Sequence, residues 1–140
     1  EEKLIIRMNN SGEFPKAYKV IEPEDIVRAR KVFREVYMDE KIERYIVDIV
    51  YATRTPEDYG LGDIRNFISY GASPRASISL SLAAKAYAFI KRRGYVIPED
   101  VRAVCPEVLR HRIGLTYEAE AENVVTEQLI EQVINAVIVP

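Results

Sequence analysis

The chain has 140 residues, 48% of them hydrophobic and 30% charged, with a net charge of −2, which describes a globular domain able to bury a core and excludes a disordered or membrane-embedded chain. A balance this close to neutral exerts no general pull on nucleic acid or an anionic membrane. The one cysteine, Cys105, permits no internal disulfide, no apolar run approaches a membrane span and no signal peptide opens the chain, so a cytoplasmic protein is expected.

Residues 1–16 read as a tail, a short amphipathic start followed by "NNSGEFP", suited to joining a neighbouring domain. The first residue is Glu1, not Met, as expected of a piece excised from something longer. From Pro23 to Tyr37 a helix is expected, with Ile26, Ala29, Phe33 and Val36 on one stripe and Arg28, Arg30, Lys31 and Arg34 elsewhere. Asp39 to Thr53 has the cleanest helical period, carried by Ile42, Tyr45, Ile46, Ile49 and Thr53. The connection from Thr55 to Ala72 holds Pro56, Gly60, Gly62 and Gly71 and is longer than an idle loop, with a turn of helix expected in "DIRNFISY".

Pro74 to Arg93 opens with "SISLSL", whose period of two suits a strand, but "AAKAYAFIKRR" behind it is rich in strong helix formers and decides for helix. Its polar stripe is only Ser77, Ser81, Lys85 and Arg92, which predicts a central helix. Pro98 opens a short helix with Glu99 and Asp100 in the first turn, and Pro106 restarts it. Its "VIPEDV" echoes "VIEPEDI" at Val20–Ile26 as shared helix-start grammar, not as a repeat. "RIGLT", Arg112–Thr116, reads as a short strand pairing with "YKVI", Tyr18–Ile21, and "YEAEAE", Tyr117–Glu122, as a solvated acidic stretch. The last helix is Thr126–Val137, capped by Thr126, with Leu129, Ile130, Val133, Ile134 and Val137 inward. The fold expected is all-α, a bundle of about five helices with one minor two-strand pairing.

Catalytic equipment is scarce. One histidine, His111, allows no His-based metal site or relay and reads as structural or surface. Cys105 sits in apolar helical context as a small core residue. None of the six glycines is followed by Lys, so no phosphate loop of the GxxxxGK type exists. The basic clusters at Arg28–Arg34 and Lys91–Arg93 read as a solvated helix face and a helix C-terminus.

"GASPRAS", Gly71–Ser77, is the exception. Ser73 and Pro74 make a favourable helix start, yet Arg75 puts a cation where the dipole favours anions. Either the arginine is ordinary solvated surface, at a cost of a few tenths of a kcal/mol, or an arriving anion such as phosphate completes the site.

"GASPRASISLSLAAKAYAF", "YVIPEDVRAVCPEVLRHRIGLTYEAEAE" and the closing "VIVP" resemble the C-terminal lid of MoxR-type AAA+ ATPases, from about Ile21 to Pro140. That resemblance implies residues 1–20 as the connector from an absent nucleotide-binding core and 21–140 as the helical lid. It maps the sensor-2 role, contact with the γ-phosphate, onto Arg75, with Ser73 and Pro74 forming the helix start beside the nucleotide. It implies a parent that binds ATP and Mg²⁺ mainly through its core, hydrolyses ATP, and forms a homo-oligomeric, usually hexameric, ring. It also implies chaperone-like maturation of partners, including von Willebrand factor A-domain proteins. Alone, this piece is expected to bind no cofactor and to be inactive. The alternative is an independent helical protein-interaction module with no nucleotide role; a phosphate loop or a start codon encoded upstream of Glu1 distinguishes the two.

Overall fold

A computed structural model of the chain describes residues 2–10 and 16–140, which divide into two units, 1–30 and 31–140. In the first, the amphipathic start forms helix α1, Glu2–Asn10, and buries no residue; "SGEFP" of the expected tail lies outside the described residues. Helix α2, Pro23–Val32, is shorter than the periodicity suggests. Its end tightens into a 3₁₀ turn at Phe33–Glu35, after which Tyr37 is claimed by another segment: its N–H donates to Gly94 O and its carbonyl accepts from Val96 N–H, both at 2.9 Å. Of the expected stripe only Val36 is buried, while Ile26 is exposed.

Helix α3, Glu40–Ala52, follows its amphipathic pattern closely. Ile42, Tyr45, Ile46 and Ile49 are buried as the spacing requires. Its start is secured by the Asp39 side chain, which accepts from Lys41 N–H at 2.9 Å, and by Glu40 and Glu43 in the acid-favouring first turn. The connection to the next helix is structured: 3₁₀ turns at Pro56–Tyr59 and Gly62–Phe67 lead into strand β1, Ile68–Tyr70.

The pairing expected between 112–116 and 18–21 is not formed. Strand β2, Gly114–Leu115, pairs antiparallel with β1 instead, Ile68 opposite Leu115 and Tyr70 opposite Gly114. Side chains explain the choice. Ile64 and Ile68 bury themselves in the core while Tyr18 and Val20 stay exposed. Thr116 then extends the pairing, its N–H donating to Phe67 O at 3.1 Å and its hydroxyl to Asn66 O at 2.7 Å.

Helix α4, Pro74–Ile90, is the central helix predicted, burying Ala76, Leu80, Ala84 and Ala88 in one line and packing on α3 and on α5. It stops three residues short of Arg93 because Arg92 turns left-handed, φ 60°, and Arg93 N–H closes back on Ala88 O at 2.9 Å, the usual device for ending a helix. Helix α5, Pro98–Leu109, runs straight through Pro106 without restarting. Asp100 closes its start by accepting from Ile97 N–H at 3.0 Å and from the Arg93 guanidinium, 2.7 Å for one prong. The acidic stretch is in part a short helix, α6, Tyr117–Ala121, because Thr116 caps it by accepting from Ala119 N–H. In helix α7, Thr126–Ala136, the cap position belongs to Val125 and not Thr126: the Gln128 side chain accepts from Val125 N–H at 3.0 Å. Leu129, Ile130, Val133, Ile134 and Val137 are all buried. An all-α bundle with one small two-stranded sheet results.

Candidate functional site

The start of α4 is held on three sides by the second unit's own chemistry. Behind it, β1 is fixed by the sheet with β2. Beneath it, the fully buried Thr53, the residue after α3, donates its hydroxyl proton to Val50 O at 2.7 Å and accepts from Ala72 N–H at 2.9 Å. Ahead of it, Ala76 is fully buried in the core. Gly71 is required by the close approach this creates. A Cβ there would overlap the Thr53 carbonyl and lie 2.8 Å from Arg54 Cγ, so only glycine lets the two segments meet.

Ser73, Pro74 and Arg75 emerge from this frame exposed. Ser73 stands at the cap position with extended backbone, φ −76° and ψ 166°, but its side chain makes no capping hydrogen bond. The cap expected of it is therefore absent. Pro74 has no N–H to offer and Ala76 N–H donates to Ser73's own carbonyl at 2.8 Å, which leaves Arg75 N–H as the unclaimed donor of the first three positions. No acidic residue occupies the first turn. Each of the other helices from α2 onward has a side chain accepting a backbone N–H at its start: Asp25, Asp39, Asp100, Thr116 and Gln128 in turn. Helix α4 alone among them does without.

Among the described residues the Arg75 guanidinium shares its lack of a partner with those of the exposed Arg30, Arg34 and Arg92, and differs from them in standing in the first turn of a helix. Arg93, Arg110 and Arg65 pair with carboxylates, Arg102 and Arg112 donate to backbone carbonyls at 2.8 and 2.9 Å, and Arg54 lies over the Tyr51 ring at 4.2 Å. Among the described residues nothing hydrogen-bonds to or ion-pairs with the Arg75 guanidinium, so its full donor set faces solvent at the positive end of a helix. That arrangement suits an anionic oxygen cluster: planar, permanently charged donors beside an uncapped backbone N–H, that of Arg75.

The other candidates recede. His111 is exposed, and burial pushes the Cys105 thiol up to about 12, which leaves it protonated and inert at neutral pH. Among the described residues no group of three or more His, Cys, Asp and Glu is placed to hold a metal ion, and no helix is long and apolar enough to cross a membrane. A cavity of about 620 Å³ lies between the start of α3 and the C-terminal segment and involves no residue of α4. Sequence reasoning picks out Arg75 through its unusual charge but misses Thr53's second partner, since a threonine at a helix end signals nothing about a residue 19 positions on.

The family of AAA lid domains matches this chain over residues 63–133. Chaperone MoxR1 of Mycobacterium tuberculosis is 37% identical over 140 residues, all of this chain and 37% of that protein. Protein MoxR of Paracoccus denitrificans is 40% identical over 90 residues, 60% of this chain and 26% of that protein. The crystal structure of a candidate ATPase from Cytophaga hutchinsonii superposes with a TM-score of 0.89 at 39% identity, over all of this chain and 43% of that one. The chain thus spans about a third of the length of its curated relatives.

Proposed function

Given that the chain belongs to the AAA lid domain family, in its MoxR form, we propose that it is the nucleotide-sensing part of an ATP-hydrolysing parent and that Arg75 is its sensor. Residues 21–140 are the lid and 1–20 the connector to the nucleotide-binding core. ATP and Mg²⁺ are held mainly by that core, and the lid supplies Arg75, which reaches the γ-phosphate oxygens from a helix start formed by Ser73 and Pro74. The nucleotide supplies the scissile phosphoanhydride; the lid's part is to place a fixed cation where charge develops on the transferring group. Loss of the γ-phosphate removes Arg75's partner and releases the lid, which couples hydrolysis to movement of the domain. In a homo-oligomeric ring, a hexamer on this reading, that movement drives chaperone-like remodelling of partners, von Willebrand factor A-domain proteins among them.

The observation that carries the reading is an exposed guanidinium standing, without a partner, in an uncapped first turn with no acidic residue. The surrounding chain spends carboxylates on its other helix starts and leaves this one open. Turnover by the full-length ATPase is the test. Arg75→Ala should cut it by about 10- to 1,000-fold, the range for a lost transition-state donor, and Arg75→Lys should rescue poorly because an ammonium loses the planar two-pronged contact. Activity regained on mixing Arg75→Ala subunits with phosphate-loop-dead subunits would place the action across a subunit interface. Full turnover by Arg75→Ala would remove the sensor assignment.

A further inference from the structure

We infer that Thr53 is a positioning residue for Arg75, acting through a hydroxyl latch between the end of α3 and the start of α4; this rests on the sensor reading above. A threonine hydroxyl at a helix end commonly donates to a carbonyl three or four residues back, and the bond to Val50 O at 2.7 Å is of that kind. That bond alone would be local housekeeping. The same oxygen also accepts from Ala72 N–H at 2.9 Å, a donor that belongs to neither neighbouring element, since β1 ends at Tyr70 and α4 begins at Pro74. Thr53 and Ala72 are both fully buried, so no water replaces either bond.

The latch is short-coupled to the sensor. Only Ser73 and Pro74 separate Ala72 from Arg75, proline fixes its own backbone angle, and Ala76 immediately beyond is locked in the core. A displacement at Ala72 is therefore passed to Arg75 and not absorbed on the way. Gly71 is the other half of the device, because its missing side chain is what brings the segment against the Thr53 carbonyl. Helix α3 thus sets where the Arg75 guanidinium stands, without Thr53 touching nucleotide.

The test is a double-mutant cycle on turnover of Mg·ATP by the full-length ATPase, with the melting temperature of every variant measured alongside. Thr53→Val keeps the side chain's shape but leaves Ala72 N–H buried without a partner, and should lower kcat about 10-fold, with KM changed far less, as a small misplacement of a catalytic group does. Thr53→Ser keeps the hydroxyl and should hold kcat within about 2-fold. In an Arg75→Ala background, Thr53→Val should cost nothing further, since what it misplaces is already gone. Gly71→Ala provides a second route should Thr53→Val melt below the assay temperature: it keeps the hydroxyl, displaces the same segment, and should show the same dependence on Arg75. An equal loss from Thr53→Val or Gly71→Ala with and without Arg75 would overturn the latch and leave the sensor standing, as would a folded Thr53→Val at full speed. Normal turnover by Arg75→Ala alone would overturn the sensor, and the latch with it.

Discussion

At the start of α3, Asp39 accepts a backbone N–H at 2.9 Å and two glutamates occupy the first turn; at the start of α4 a serine accepts none, the acids are absent and an arginine stands in their place. Both helices bury an apolar face in the same core, so tertiary packing does not distinguish them. The difference lies in what each start is missing. Helix α3 satisfies its own dipole and orphan donors and needs nothing from outside. Helix α4 leaves Arg75 N–H uncapped and adds a cation, a local arrangement that is slightly unfavourable by itself and that an anion would relieve. A helix start that breaks the ordinary rules while its frame of Gly71, Thr53 and Ala76 is tightly determined points to function and not to carelessness.

Stability measurements separate the two starts. Asp39→Ala removes a working cap and should destabilise the chain by about 0.5–2 kcal/mol in denaturant melts, with no effect on nucleotide turnover in the full-length protein. An Asp39 variant as stable as the parent would erase the contrast from the α3 side. Ser73→Ala should be the quieter change, within about 0.5 kcal/mol of the parent, because no capping bond is there to lose. A loss as large as that of Asp39→Ala would mean that the Ser73 hydroxyl caps α4 in solution, and the two starts would then be alike.

How far these features can be read from residues alone depends on the range of the interaction. Helices α3, α4 and α7 are legible because their periodicity is local and strong: the inward positions of α3 and α7 are those the spacing names, and Leu80 and the alanines of α4 line up once "SISLSL" is joined to "AAKAYAFIKRR". Arg75 is legible for a related reason, a single charge at odds with its local dipole. Of the sheet, the strand at 112–116 is legible, as β2, but its partner is not, because a strand of three residues carries almost no period and lies more than 40 positions away. Periodicity overruns the end of α2 because a backbone bridge from Tyr37 to Gly94 and Val96 outweighs propensity. Residue type credits Ser73 with a cap, whereas its side chain makes no capping hydrogen bond. The Thr53 latch is invisible for want of any local signal. Within the site, a misplaced charge marks the arginine, and only the long-range contacts reveal what holds it.

The central claim, that the α4 start gives up stability for an anion, is tested most directly by the turnover of full-length Arg75→Glu measured beside its melting point. A carboxylate suits the positive end of a helix, so the variant should be as stable as the parent or more so, by about 0.3–1 kcal/mol. Its ATP turnover should nonetheless fall at least as far as that of Arg75→Ala, because on the proposed sensor role a negative charge would face the γ-phosphate. A variant that is stable and fails at hydrolysis is the predicted result. Parent-like turnover from a folded Arg75→Glu protein would contradict the account.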